Sequence, residues 1–469
     1  MNSRLALVTG ATGYVGSQLV PILLENGWRV RVLSRSREKL EKLPWADRVE
    51  VVLGNADVQE DVARALAGAD VAWYLLHSMG EGGDLLEQER QLASLFGAEA
   101  ARAGVGRLVY LGGLHPEGEL SEHLRSRVEV GEVLMASGVP TAVLQAGVVI
   151  GEGSTSFRML RHLSERLPGA IAPSWITNRI QPIAVADLMH YLVAAAELPD
   201  EVNRTFDIGG SDVVRYCDMM KRYAEVVGLG PRLVITAPVT TPDPAAHWIG
   251  LVTPVGAGVA RPLIGSLLHD TIVKERDLDD LVGPPPGGHT GFDDAVRAAV
   301  AGTDTRRWRR MLARTAAGVA ATAVLGSIAT TPNSRWYRRL RKPSFQPPAA
   351  AFPLVWTLLY ADIAVISALV LADLGEEGRQ EEQRAYAIAL AVNLALNAGW
   401  SWVFFRGRRL GSATIVAALL AVSSADLARR AAKVSPQRGV LLAPYAAWTG
   451  FATVLTAAIA ARNPGTVRR

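Results

Sequence analysis

Five apolar segments fill the last third of the chain, at about residues 312–330, 352–372, 385–405, 410–428 and 439–461. Each approaches the roughly 20 residues that cross the hydrocarbon of a bilayer. Segments this long and this poor in charge do not suit the core of a soluble domain. In lipid every backbone polar group needs a partner within the segment, so all five are expected as helices. Between them lie the polar clusters RWYRRLRKPS, DLGEEGRQEEQR, RGRR and RRAAKVSPQR. Small residues dominate stretches such as GVAATAVLGS and AIALAVNLALNAG, which lets helix backbones approach closely. Asp362, Asn393, Asn397 and Asp426 are costly in lipid and are expected to face the bundle interior or a wet cavity. Trp356, Trp400, Trp402 and Trp448 suit either interfacial anchoring or the walls of a pocket for a flat ligand.

Upstream of about residue 305 the pattern changes, and charged residues are spread throughout. RLALVT (residues 4–9) reads as a buried parallel strand, followed by a turn with Gly10, Gly13 and Gly16 and an apolar helix through Leu24. A second strand, WRVRVLSR, follows. Such a βαβ opening binds a dinucleotide: one glycine makes the turn, one lets backbone approach the pyrophosphate, and one lets helix pack on strand. The anion sits at the helix N-terminus, which places Thr12, Tyr14 and Val15 beside it. An acidic residue at the end of the second strand would bind a ribose 2′-hydroxyl. Ser34, Arg35 and Arg37 stand there instead and suit a 2′-phosphate, so NADP(H) is expected over NAD(H).

Further βα units run through VEVVLGNADV, DVAWYLLHSM, GRLVYLGGL and TAVLQAGVVIG. The strand ends offer Asp57 and Val58, Leu76 and His77, and Gly112 with Gly113 as wall residues for the cofactor. The expected architecture is an α/β Rossmann-type doubly wound parallel sheet over residues 1–300, with a small cap within 151–300. An all-α bundle of five transmembrane helices follows over 305–469. In the cap, Asp187 is expected to N-cap a helix, and GPPPGGH (283–289) reads as a linker. A single cysteine, Cys217, excludes a disulfide framework or a cysteine-based metal cluster. With 49 basic against 45 acidic residues, no polyanion partner is implied. The N-terminus lacks a signal-peptide pattern, so the first part is expected in the cytoplasm. Charges flanking the five spans are nearly level between the two sides and give no orientation.

GATGYVG, Arg35, YLLHSM and NRIQPIAVADL together resemble the atypical, NmrA-like branch of the extended short-chain dehydrogenases/reductases. That resemblance implies an NAD(P)-dependent oxidoreductase fold, whose reducing members use Ser, Tyr and a Lys four residues beyond the Tyr. Here YLGGL, with Gly112 and Gly113, stands in the place of the serine. HLRSR, with His123 and Arg127, stands in the place of Tyr-x-x-x-Lys. Arginine gives up no proton, whereas a histidine can donate one near neutrality, so His123 and Arg127 are the catalytic candidates.

WYRRLRKPSFQPP with FPLVWTLLY, then NLALNAGWSWVFF and LLAPYAAW, resemble the TspO/MBR (translocator protein) family. The resemblance implies a five-helix bundle, usually a homodimer, that binds porphyrins and sterol-like molecules under a roof formed by the first loop. Trp356 and Trp448 match the cavity tryptophans implicated in porphyrin breakdown, and Trp336, Pro343, Asn397, Trp400 and Pro444 match other motif positions. Arg335, Arg338, Arg339, Arg341 and Lys342 of the loop could hold a tetrapyrrole's carboxylates or meet lipid headgroups. The two resemblances leave three functions open for a multi-pass protein of the inner membrane. They are a cofactor-coupled ligand-binding protein with sensing or unusual redox chemistry, an NADPH-dependent reductase of a tetrapyrrole or apolar carbonyl compound, and a transporter or signalling scaffold.

Overall fold

The computed structural model describes residues 4–77, 84–116, 120–237 and 242–464. The chain divides into two compact units, Met1–Thr303 and Asp304–Arg469.

In the first unit the strands are β1 (Leu5–Thr9), β2 (Arg29–Ser34), β3 (Glu50–Leu53), β4 (Val71–Tyr74), β5 (Arg107–Gly113), β6 (Thr141–Ala146) and β7 (Arg204–Ile208). They form one parallel sheet in the order β7-β6-β5-β4-β1-β2-β3. β1, β4, β5 and β6 are buried along their whole length, as expected of parallel strands covered on both faces. One face carries α1 (Tyr14–Glu25) and the later helix Val185–Ala194, through Leu19, Leu23, Met189 and Leu192. The other carries α2 (Gln59–Leu66), α3 (Asp84–Ala103) and α4 (Glu122–Met135), through Val62, Leu66, Phe96 and Leu134. β7 was not legible as a strand in the sequence. It lies at the sheet edge with only Phe206 and Ile208 buried, and the chain reaches it after passing through the first part of the cap.

The cap has its own core of Phe157, Leu160, Trp175, Met219, Tyr223, Ile249 and Phe292. These come from α5 (Thr155–Arg166), α6 (Tyr216–Val226), α7 (Pro242–Val252), α8 (Ala257–Gly265) and α9 (Phe292–Val300), together with the loops between them. A short parallel pair, Gly169–Pro173 with Leu233–Ala237, closes one side. Two expectations need correction here. The Val185–Ala194 helix has Ala184 at its N-cap position, and Asp187 lies inside the first turn. The Asp187 carboxylate accepts from Thr290 N at 2.8 Å and Thr290 Oγ1 at 2.7 Å. GPPPGGH is accordingly pinned within the unit and is no free linker: His289 Nε2 lies 3.0 Å from Asp279 Oδ2 and 3.0 Å from Tyr191 Oη.

Among the described residues of the second unit, five helices are long and apolar enough to cross a membrane. They are α10 (Arg307–Ala329), α11 (Ala351–Glu376), α12 (Gln380–Ser401), α13 (Leu410–Val434) and α14 (Pro436–Arg462). α12 runs on into a π-helical turn, Trp402–Arg406. Regular helix extends beyond the apolar runs because i→i−4 backbone hydrogen bonding does not depend on side-chain polarity. α11 is sheathed by its neighbours from Ile366 to Leu374. Inside the bundle a polar network is fully formed. Tyr360 Oη donates to Asn397 Oδ1 (2.9 Å), Asn397 Nδ2 to Tyr445 Oη (3.2 Å), Tyr445 Oη to Asn393 Oδ1 (2.7 Å), and Asn393 Nδ2 to Ser424 Oγ (3.1 Å). Asn393 and Asn397 thus face inward as expected. Asp426 does not: a third of its side chain is exposed, and it pairs with Arg429 and Arg430 one turn on. Asp362 is half-buried, with its Oδ2 enclosed. A more deeply buried acid is Asp373, overlooked in the sequence, whose Oδ2 lies 2.6 Å from Arg438 Nη2 with both residues almost fully enclosed.

Candidate functional site

The cleft of the first unit opens at the C-terminal ends of β1 and β4, where the strand order reverses and open α/β sheets bind ligands. Thr9 ties its floor together, donating from Oγ1 to Trp73 O and accepting from Leu75 N, both at 3.1 Å. The cleft encloses about 450 Å³. Gly10, Thr12, Gly13, Tyr14, Val15 and Gly16 line one wall, and Arg35, Leu76, His77, Gly113, His123 and Arg127 also border it.

Two of the glycines are required by space. Gly10 has φ +67°, and a Cβ there would stand 2.3 Å from the carbonyl oxygen of Leu75. At Gly16 a Cβ would come within 2.5 Å of the Gly10 oxygen. The chain therefore turns sharply and α1 packs directly on it. Gly13 occupies the N-cap of α1 with no side chain capping the helix, which leaves first-turn N–H groups and the positive end of the helix dipole for an anion. This cradle fits a dinucleotide pyrophosphate. Arg35, just past the end of β2, is exposed in the cleft wall and has no carboxylate partner among the described residues. Arg31, by contrast, is held by Glu50 at 2.9 Å.

His123 and Arg127 lie one turn apart on α4, whose N-cap Ser121 accepts from Leu124 N. Arg127 Nε donates to His123 Nε2 at 3.1 Å, so the imidazole is neutral and acts there as an acceptor. Burial, aided by the Arg127 charge, pulls the His123 pKa down to about 4. The expectation of a histidine that donates protons near neutrality therefore fails on this geometry. A side chain at Gly113 would meet Leu124 Cδ2 at 3.3 Å and Arg127 Cδ at 3.5 Å. The missing side chain at 113 and the guanidinium at 127 thus share one space.

Asp57, Val58 and Gly112 do not border the cleft. Val58 takes the N-cap position of α2, with Asp57 exposed beside it, and Gly112 lies against Tyr110 and Val143 inside β5. The cap contributes what sequence reasoning missed: Ser154, Met159, Tyr216, Leu267 and Thr271 complete the wall. Tyr216 carried no motif signal, since its place depends on where the cap folds back. Among the described residues no group of three or more His, Cys, Asp or Glu is placed to hold a metal.

In the second unit the motif tryptophans fall into three aromatic groups. Trp356 lies 5.2 Å from Tyr360 and 6.4 Å from Tyr445, ring to ring, and so meets the network of Asn397. Trp448 sits 6.0 Å from Phe352 and 5.5 Å from Phe451. Trp336 and Trp400 gather instead on Phe404, at 5.7 and 5.2 Å. Pro343 accepts from Gln346 N in the first loop, and Pro444 is exposed on α14 directly before Tyr445. Two cations of the flanking loops lie over rings: Lys342 at 4.0 Å from Tyr337 and Arg408 at 5.9 Å from Trp336.

A family model described as NAD(P)H-binding matches residues 10–163, and one described as the TspO/MBR family matches residues 315–462. The ceramide reductase of Caulobacter vibrioides is 33% identical over 282 residues, covering 55% of this chain and 83% of that protein. The human translocator protein is 38% identical over 133 residues, 28% of this chain and 76% of that protein. The tryptophan-rich protein TspO of Chlorobaculum tepidum is 34% identical over 133 residues, 28% and 82% respectively. The chain joins an NAD(P)H-binding domain to a TspO/MBR domain and belongs to both families. The fold of the NAD(P)H-binding part is also that of a triphenylmethane reductase from Citrobacter sp., with TM-score 0.50, 18% identity, and 64% of this chain and 99% of that one covered. The TspO/MBR part supplies the five apolar helices that make this a multi-pass membrane protein.

Proposed function

We propose that this protein is a membrane-tethered, NADPH-dependent reductase of an apolar carbonyl compound, a long-chain keto lipid of the ceramide class. One observation carries the reading: the cradle that fits a dinucleotide opens directly onto an apolar cap, in a unit that shares a third of its residues with a ceramide reductase along most of that protein's length. Arg35 favours NADPH over NADH. NADPH held at the turn of Gly10, Gly13 and Gly16 would supply the hydride that the carbonyl carbon needs. The electron pair of the C=O bond then collects on oxygen beside Arg127, whose fixed charge stabilises the alkoxide. Water delivers the proton, since Arg127 cannot and neutral His123 serves to hold the guanidinium in place. The TspO/MBR helices keep the enzyme at the membrane, where such a substrate resides, and their aromatic groups offer a place for a tetrapyrrole, a sterol-like molecule or the lipid itself.

The test uses the purified full-length protein in lipid discs loaded with a long-chain 3-keto ceramide. Oxidation of NADPH is expected only when the keto lipid is present, and faster than with NADH. Absence of any lipid-dependent oxidation would refute the proposal. A second reading, in which cofactor state only tunes ligand binding by the bundle, is favoured by the absent Ser, Tyr and Lys. It requires that NADPH change protoporphyrin affinity in the same preparation without being consumed.

A further inference from the structure

Beside the cofactor cleft lies a second cavity of about 260 Å³, contained wholly within the first unit. Its wall is built from aliphatic and aromatic side chains, among them Leu163, Ile176, Met220 and Ile249. Met159, Tyr216 and Leu267 border both spaces, so one thin partition separates them. At the far end Ile171 and Trp248 line the cavity while remaining 78% and 42% exposed, which gives it an apolar mouth.

Two residues of this wall, Tyr216 and Trp175, carry hydrogen-bonding groups that are themselves enclosed. Tyr216 is 3% exposed and Trp175 is 8% exposed. Neither the tyrosine hydroxyl nor the indole N–H has a hydrogen-bond partner among the described residues. Native proteins rarely leave such groups orphaned, because each forfeits the hydrogen bonds it would make with water. Two such groups on residues of one small apolar wall suit a ligand that brings acceptor oxygens together with hydrocarbon.

We propose that this cavity is the tail subsite of the reductase, taking a single long alkyl chain, and that Tyr216 registers the substrate by donating to an oxygen at the head of that chain. The inference rests on the proposed reductase reading for the direction of the head, which points to the cofactor cleft. Trp175 meets a second acceptor along the tail side, such as a hydroxyl or amide oxygen. Chains longer than the cavity leave through the mouth between Ile171 and Trp248.

The experiment titrates alkan-2-ones of increasing chain length into full-length protein loaded with NADP⁺, by calorimetry, and compares two variants. In the unaltered protein affinity rises by about fourfold per added methylene and then levels off as the tail reaches the mouth. Ala245→Trp, which fills the cavity, makes the plateau begin several carbons earlier. Tyr216→Phe lowers affinity by about tenfold for every ketone, keeps the chain-length dependence, and leaves the melting temperature unchanged or raised because an unsatisfied buried hydroxyl is gone. A merely structural tyrosine would instead lower the melting temperature and leave ketone affinity alone. That result, or a chain-length dependence indifferent to Ala245→Trp, overturns the subsite. Normal binding with no NADPH oxidation supports the subsite and refutes the reductase reading.

Discussion

Arg35 borders the cleft with no carboxylate partner among the described residues, whereas Arg31 is committed to Glu50. Arg35→Ala should therefore weaken NADPH by about tenfold, the scale of one hydrogen bond to a charged group, and leave NADH unchanged in a fluorescence titration. Equal losses for both cofactors would show that Arg35 does not read the 2′-phosphate. His123 makes a second residue-level prediction. Its folded pKa, about 4, lies below the usual histidine value. The unfolded chain takes up that proton near pH 6.5, so the contribution of neutral His123 to stability is complete above that pH. It is lost as pH falls from 6.5 towards 4. His123→Gln should flatten the pH dependence of the melting temperature across that window. Between pH 6 and 8, kcat/KM should show no transition belonging to His123. The motif position of His123 was legible in the sequence; its neutrality was not, because that depends on burial and on the guanidinium that Gly113 makes room for.

Elements place these residues. The β1–α1 turn works only if Gly10 adopts positive φ against the Leu75 carbonyl. Gly10→Ala adds strain of about 1–3 kcal/mol before any clash is counted, so NADPH affinity and the melting temperature should fall together. Such a turn is readable because its glycines are local. Across the bundle, Asp373 of α11 and Arg438 of α14 pair out of contact with water. Removing one partner, as in Asp373→Leu, should cost about 3–5 kcal/mol in detergent unfolding, whereas Asp373→Leu with Arg438→Met should recover most of it. Additive losses would show that the two charges do not depend on each other. No local pattern announced this pair: Asp373 reads as the first residue of an acidic loop, and its partner is 65 positions away. Asp426 misled for the converse reason, since arginines one turn later hold it at the helix surface. β7 escaped notice because only its place at the sheet edge, after the chain leaves the cap, makes it a strand.

At the scale of the molecule, both families were legible because their motifs are contiguous. The cap was expected within 151–300, but its cavity was not legible, since the walls are drawn from residues between 159 and 267 that meet only on folding. Together these parts support the single proposal that a carbonyl carbon of a membrane lipid would be reduced by hydride from a cofactor held at the glycine turn. The most direct measurement is isotopic. Full-length protein in lipid discs is given keto lipid and NADPH carrying deuterium on the transferable position of C4, and the lipid product is analysed by mass spectrometry. The account predicts an alcohol bearing one deuterium on the former carbonyl carbon, formed in step with NADP⁺. Unchanged keto lipid beside protein that demonstrably binds NADPH would contradict it.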